Sequence, residues 1–97
     1  MHLVQLLLPV KPNGDHHIAR VREELVEQFE GVTAYVRAPA RGAWVAPDGQ
    51  EEHDDVIMIE VAVDQLDRGW WRQYRDTLAA RFSEEEIHLR VIPVEML

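Results

Sequence analysis

A strand pattern followed by a helix pattern occurs twice in this chain, and this repeat limits the folds available to it. Residues 56–63 are almost continuously apolar and β-branched, as in a buried strand, and residues 70–82 place Trp71, Tyr74, Leu78 and Phe82 on one helical stripe. The same spacing occurs 53 positions earlier, where the stripe runs from Ile18 to Phe29. The residue identities barely match, so the two halves share a pattern that could arise without duplication.

The full pattern predicts strands over 2–10, 32–38, 56–63 and 87–94, with helices over 16–30 and 70–82. Because β-α-β crossovers are right-handed, this βαββαβ order predicts a four-stranded antiparallel sheet, order 4-1-3-2, with both helices on one face. We therefore expect a single α+β domain over 1–97 with the ferredoxin-like arrangement. Phe29 and Phe82 end the two stripes, and each should stabilise the domain by roughly 3 kcal/mol.

Residues 38–55 are harder to assign. Pro39 and Gly42 interrupt the strand pattern, and residues 47–50 read as a tight turn. The segment predicts a hairpin with an irregular arm from Pro39 to Trp44. We expect Trp44 to pack over a sheet edge or against a neighbouring subunit.

Charge and composition exclude several classes of function. Eighteen acidic and ten basic residues give a net charge of −8, which disfavours a nucleic-acid partner. The chain has no cysteine, so disulfides, thiolate catalysis and cysteine-ligated metals are excluded. Neither a signal peptide nor an apolar run of membrane-spanning length is recognisable, and we expect a cytoplasmic protein with no membrane partner. Phosphate-binding glycine motifs and zinc spacings are also absent, so we predict no cofactor and no metal.

The candidate site residues lie on the predicted sheet face that the helices leave open. Strand parity places nine residues there: Leu3, Gln5, Leu7, Tyr35, Arg37, Met58, Glu60, His88 and Arg90. Glu60 is a candidate proton acceptor and His88 a candidate acid/base, while Arg37 or Arg90 would clamp an anion. The simpler interpretation is that these charges form cross-strand ion pairs on a solvated sheet.

Other polar and aromatic clusters are weaker candidates. His16 and His17 are adjacent, so we expect their side chains to diverge at a helix start. Residues 53–55 offer hard ligands in a hairpin, where solvated charge is the commoner outcome. Trp70 and Trp71 favour a helix-to-sheet anchor over a stacking platform for a ligand.

The mixed open face also favours self-association. Leu3, Leu7 and Met58 are poor partners for water, whereas Glu60 and Arg90 are poor partners for a dry interface. A two-fold homodimer joined face to face, with a partly wet interior, satisfies both groups. Edge-to-edge pairing through the second or fourth strand is the alternative geometry.

The chain resembles a family of small uncharacterised bacterial proteins. The residues that carry the resemblance are the segment 31–44, Asp54-Asp55, Glu60-Val61, Trp70-Trp71 and Tyr74-Arg75. The resemblance extends over nearly the whole chain. It implies a bacterial source and a small α+β domain, it brings no catalytic residue, and it draws attention to Thr33, Tyr35, Arg37, Trp44 and Glu60.

In architecture, the chain looks more loosely like the dimeric α+β barrel proteins, which include cofactor-independent monooxygenases, lactone isomerases and sensing modules. RNA-recognition modules share the βαββαβ order, but their aromatic strands and basic surface are missing from this sequence.

Two functions stay open at this point. The favoured hypothesis is a homodimeric domain that binds a small molecule on the open face, with Tyr35, Arg37, Arg90 and Trp44 as binding candidates. The alternative is a cofactor-independent enzyme, monooxygenase- or isomerase-like, that acts on a small anionic or aromatic metabolite through Glu60 and His88.

Overall fold

The computed structural model describes residues 1–10, 15–35, 41–45 and 51–97, with side chains over 1–10, 16–31 and 56–97. Within these ranges the elements are β1 His2–Pro9, α1 Asp15–Gln28, β2 Gly31–Tyr35, β3 Arg41–Val45, β4 Glu51–Val63, α2 Arg68–Arg81 and β5 His88–Pro93. Two helices combined with an antiparallel sheet confirm the predicted α+β class.

The sheet has β4 and β1 at its centre. Its strand order is β2-β4-β1-β5, every pairing is antiparallel, and β3 pairs with the first residues of β4. Gln5 on β1 lies opposite Glu60 on β4 and Arg90 on β5, and Glu60 lies opposite Thr33 on β2. This register aligns one residue from each of four strands in a single row across the sheet.

One side of the sheet carries the hydrophobic core. Successive side chains of a strand point to opposite faces, so alternate apolar residues of β1 and β4 can be buried together. The buried residues are Val4, Leu6, Leu8, Val21, Leu25, Ile59, Val61, Val63, Trp71, Leu78, Phe82 and Ile87. Both helices contribute to this one cluster, and the half-buried Ile18, Phe29, Ile57, Tyr74 and Leu89 pack against it. The two helices therefore cover the same face of the sheet.

Local hydrogen bonds fix both ends of α2. The Asp67 carboxylate accepts the backbone N–H of Trp70 at 3.0 Å, as an N-cap residue should. At the other end, the N–H of Ser83 bonds to the carbonyl of Ala80 at 3.2 Å, and the N–H of Glu84 bonds to that of Ala79 at 2.9 Å. This pair of bonds is a Schellman motif, and it holds Ser83 at a left-handed φ of 55° that glycine adopts more easily.

The hairpin before β4 differs from the sequence prediction. β4 begins at Glu51 rather than near Val56, because β3 pairs with it from Arg41 opposite Asp55 to Val45 opposite Glu51. The charged segment 51–55 has low strand propensity, and the ladder with β3 overrides that propensity. The prediction of an irregular arm was therefore wrong for residues 41–44, which form a regular strand. Pro39 and the predicted turn at 47–50 lie outside the described residues.

Candidate functional site on the open sheet face

The side of the sheet opposite the core forms a mixed polar and apolar surface. We term it the open face and define it by nine described side chains: Leu3, Gln5, Leu7, Met58, Glu60, Ala62, His88, Arg90 and Ile92. Those on β1 and β4 are half-buried, and those on the edge strand β5 are exposed. Both helices pack on the other side of the sheet, so no described helix covers this face.

A polar row crosses the middle of the open face. Gln5 donates a hydrogen bond from Nε2 to Oε2 of Glu60 at 3.3 Å. A carboxylate only accepts, so this bond fixes the orientation of the amide and turns Oε1 of Gln5 away from Glu60. That oxygen is buried and has no hydrogen-bond partner in the described part of the chain. An unpaired buried acceptor is costly, and a donor that reached Gln5 would be favoured.

Apolar residues of β1 and β4 lie on either side of the polar row, and His88 completes one of these flanking rows at the edge strand. Leu3 is opposite Ala62 and Ile92 on one side, and Leu7 is opposite Met58 on the other. Neighbouring rows on one face are about 7 Å apart, so a compact ligand could contact both the polar row and an apolar row. The arrangement provides one anion, one cation and one unpaired acceptor within an apolar border.

The structure brings some of the predicted site residues together. Glu60 and Arg90 share the polar row, with Gln5 between them, and their backbones are about 10 Å apart. His88 belongs to the next row, opposite Leu7, so its backbone lies about 12 Å from that of Glu60. This backbone separation is too large for Glu60 and His88 to form a directly hydrogen-bonded acid/base pair.

The remaining candidates are only partly described. Tyr35 ends β2 opposite Met58, and Trp44 lies in β3 opposite Glu52, but their side chains are outside the described set. Arg37 is itself outside the described residues. Gln5 was placed on this face by parity without being chosen as a site residue. The signal that could have identified it was an amide in the central strand, directly across from a carboxylate.

A second polar cluster lies between the two helices. Glu24 of α1 accepts Nη1 and Nη2 of Arg81 at 2.6 and 3.0 Å and the hydroxyl of Tyr74 at 2.9 Å. Arg20 approaches the same carboxylate at 3.7 Å. The i, i+4 spacing of Arg20 and Glu24 indicates this weaker pair from the sequence alone, whereas the other contacts join residues at least fifty positions apart. The bidentate geometry makes Glu24 the electrostatic link between α1 and α2.

The ionisation of this cluster follows from its contacts. The hydrogen bond from Arg81 holds the pKa of the Glu24 carboxyl below its usual value, although partial burial opposes the shift. Burial raises the pKa of the Tyr74 hydroxyl, and its bond to Glu24 raises it further. The hydrogen bond to Glu24 also raises the pKa of Arg81. Each shift favours the ionisation state that maintains the network, which indicates a structural role.

The two adjacent histidines do not diverge as expected. Their rings lie 3.9 Å apart, and the ring of His17 also lies 5.5 Å from that of Phe82. Desolvation lowers the pKa of His17, and the charges of His16, Arg81 and Arg20 act in the same direction. His17 of α1 thus contacts Phe82, which follows α2 in the chain. The described residues contain no cluster of three or more histidine, aspartate or glutamate side chains suited to a metal ion, and residues 53–55 lack described side chains.

Comparison with known proteins gave no significant match to a protein family, to a characterised protein or to a solved structure. Within the described residues, neither helix has the length and hydropathy that crossing a membrane requires.

Proposed function

We propose that the protein is a homodimeric module that binds a small anionic molecule on the open face. The supporting observation is the polar row of Glu60, Gln5 and Arg90, which has apolar residues of β1 and β4 on both sides. We also propose that β1, α1, β2, β4, α2 and β5 form the ferredoxin-like βαββαβ arrangement, with β3 as an added strand, and that the dimer resembles a dimeric α+β barrel. In such a dimer two sheets face each other and the polar rows lie inside.

The apolar side chains favour association of this face. Leu3, Leu7 and Met58 occupy its two central strands, where no described helix shields them from water. Four strands of about six residues each cover roughly 400 Å² per protomer in projection. A stable interface needs about 1,000 Å² in total, so nearly the whole of both faces must be in contact. Such close contact would place the polar row in a region of low solvent access.

The polar row then favours a ligand over a fully dry interface. Gln5 Oε1 is buried without a partner in the described chain, and burying Glu60 and Arg90 further without hydrogen bonds would be costly. A small molecule with a carboxylate and a hydroxyl group can pair with Arg90, and it can donate to Gln5 once a rotation of that side chain exposes Oε1. Its apolar body would lie against Leu7 or Leu3.

Binding is favoured over the enzymatic alternative by the spacing of the candidate residues. A general base and a general acid must both come within hydrogen-bond reach of the reacting atoms. Glu60 and His88 start from backbones about 12 Å apart, and His88 is exposed on an edge strand. The residues that the polar row groups together are instead suited to holding an anion.

Protein-observed NMR with 4-hydroxybenzoate as the probe tests this proposal. We expect saturable shifts at the side-chain amide of Gln5 and at the methyl groups of Leu7 and Met58. The shifts should be lost in Arg90→Gln, because the carboxylate loses its cation. Arg22→Gln, which removes an exposed charge on α1, should leave them unchanged and serves as the matched control.

Two outcomes would contradict the proposal. The first is an absence of shifts on the open face at millimolar probe. The second is binding that responds equally to Arg90→Gln and Arg22→Gln, since the polar row would then have no specific part in it.

A further inference from the structure

A small cleft lies on the helix side of the sheet, between α2 and the edge strand β5. Its volume is about 150 Å³. Leu66, Trp71, Leu89 and Val91 form an apolar lining, and Arg68, Arg72 and Arg75 complete the wall. The cleft is separate from the open face, because the lining residues of β5 alternate with His88, Arg90 and Ile92.

The sequence explains why these groups converge. Arg68, Arg72 and Arg75 are spaced by four and three residues, so they share one stripe of α2. β5 is the edge strand, and Val91 remains 36% exposed there, while Leu89 is half-buried against the core. The helix therefore leaves a gap over β5 that is apolar at its base and basic along one side.

The charges in this cleft are unusual for the molecule. The whole chain has a net charge of −8, yet three guanidinium groups line a single small cavity. Arg75 bonds to Asp76 at 3.3 Å in an exposed pair. Arg68 and Arg72 have no acidic partner among the described residues, and they repel each other at the i, i+4 spacing. An anion between them would relieve that repulsion.

We infer that this cleft binds a small carboxylate with a compact apolar body. The planar fork of a guanidinium group matches a carboxylate in a bidentate arrangement. A cavity of about 150 Å³ is known to accept a molecule the size of benzene, so one ring or a branched alkyl group fills it. An inorganic anion would leave the apolar lining of Leu89 and Val91 in contact with water, and it is therefore the less suitable ligand.

Titration of the labelled protein with benzoate, followed by NMR, tests this inference. We expect saturable shifts at the indole of Trp71, the methyl groups of Leu89 and Val91 and the guanidinium groups of Arg68 and Arg72. The double variant Arg68→Gln with Arg72→Gln should weaken binding at least tenfold. Arg22→Gln, which removes an exposed charge from α1, should retain wild-type affinity for the cleft.

Benzamide is the matched neutral probe, and it should bind at least tenfold more weakly than benzoate. The inference is overturned if benzoate causes no shifts in the cleft, or if benzamide binds equally well. It is also overturned if the double variant binds like the wild type. Loss of benzoate binding in Arg90→Gln alone would assign the ligand to the open face. If 4-hydroxybenzoate causes no shifts that depend on Arg90, the proposed open-face site is contradicted, but the cleft can still bind benzoate. The two proposals can therefore fail separately.

Discussion

Replacing Glu24 by glutamine should destabilise the domain through the contact between its helices. The carboxylate accepts two bonds from Arg81 and one from Tyr74, at 2.6 to 3.0 Å. Glutamine keeps the shape of the side chain but loses its charge. Its NH₂ group is a donor, so it cannot accept the hydrogen bonds that Arg81 and Tyr74 donate to the carboxylate. Arg81 has a side chain only 10% exposed, so little water is available to replace the lost partner.

The size of the effect follows from these contacts. Hydrogen bonds to charged groups contribute about 1.5 to 3 kcal/mol each, but Glu24 is 34% exposed and solvent screens part of the interaction. The remaining amide oxygen of glutamine also keeps one bond. We therefore expect a loss of about 2 kcal/mol in the free energy of unfolding, which lowers the Tm of a domain of this size by about 10 °C.

Urea unfolding at pH 7, 5 and 3 measures this loss, with Glu23→Gln as a control that removes the same charge from an exposed neighbour. The pKa of Glu24 is lowered in the native state, so its contribution is present above the ordinary value of 4.5 and is lost as pH falls through the native value. The difference between wild type and Glu24→Gln should therefore shrink at pH 3. This reasoning would be refuted if Glu24→Gln were as stable as Glu23→Gln at pH 7. It would also be refuted if the difference between wild type and Glu24→Gln did not change with pH.

Four further substitutions should have distinct effects on stability. Phe82→Ala should cost about 3 to 4 kcal/mol and Phe29→Ala about 2 kcal/mol in urea unfolding, because Phe82 is 3% exposed whereas Phe29 is only half-buried; equal losses would contradict this. Ser83→Gly should stabilise by about 0.5 to 1 kcal/mol, because glycine adopts a φ of 55° without strain, and a lower Tm would argue against the Schellman geometry. Tyr74→Phe should cost about 1 kcal/mol at pH 9. Because the native pKa of Tyr74 is raised above 10, its contribution is lost above that pH, and a cost that persists unchanged at pH 11 would be inconsistent with the bond to Glu24.

Periodicity predicted most of the framework, because the core depends on local spacing. Alternation along β1 places Val4, Leu6 and Leu8 on one face, and all three are buried, as are Leu25 and Leu78 on the two helical stripes. The expected equivalence of Phe29 and Phe82 was wrong in degree. Phe82 lies inside the core, whereas Phe29 lies at its margin, where its ring stacks on Trp71 with a centroid distance of 5.1 Å.

What the sequence did not reveal depends on contacts between distant parts of the chain. The extension of β4 to Glu51 requires pairing with β3, and charged residues give no local indication of it. The bonds from Tyr74 and Arg81 to Glu24 depend on how the two helices pack. Parity placed Glu60 and Arg90 on one face, but only the register shows Gln5 between them with a buried, unpaired oxygen.

The proposed face-to-face dimer is tested most directly by light scattering at micromolar protein. The chain has a mass of 11.3 kDa, and we expect the wild type to scatter with twice that mass. Met58→Glu places a charge on a central strand of the open face and should give the monomer mass. Met96→Glu makes the same change at a side chain that is 69% exposed, and it should remain dimeric. A wild type at 11.3 kDa would contradict the dimer, and a dimer that survives Met58→Glu would contradict association through the open face.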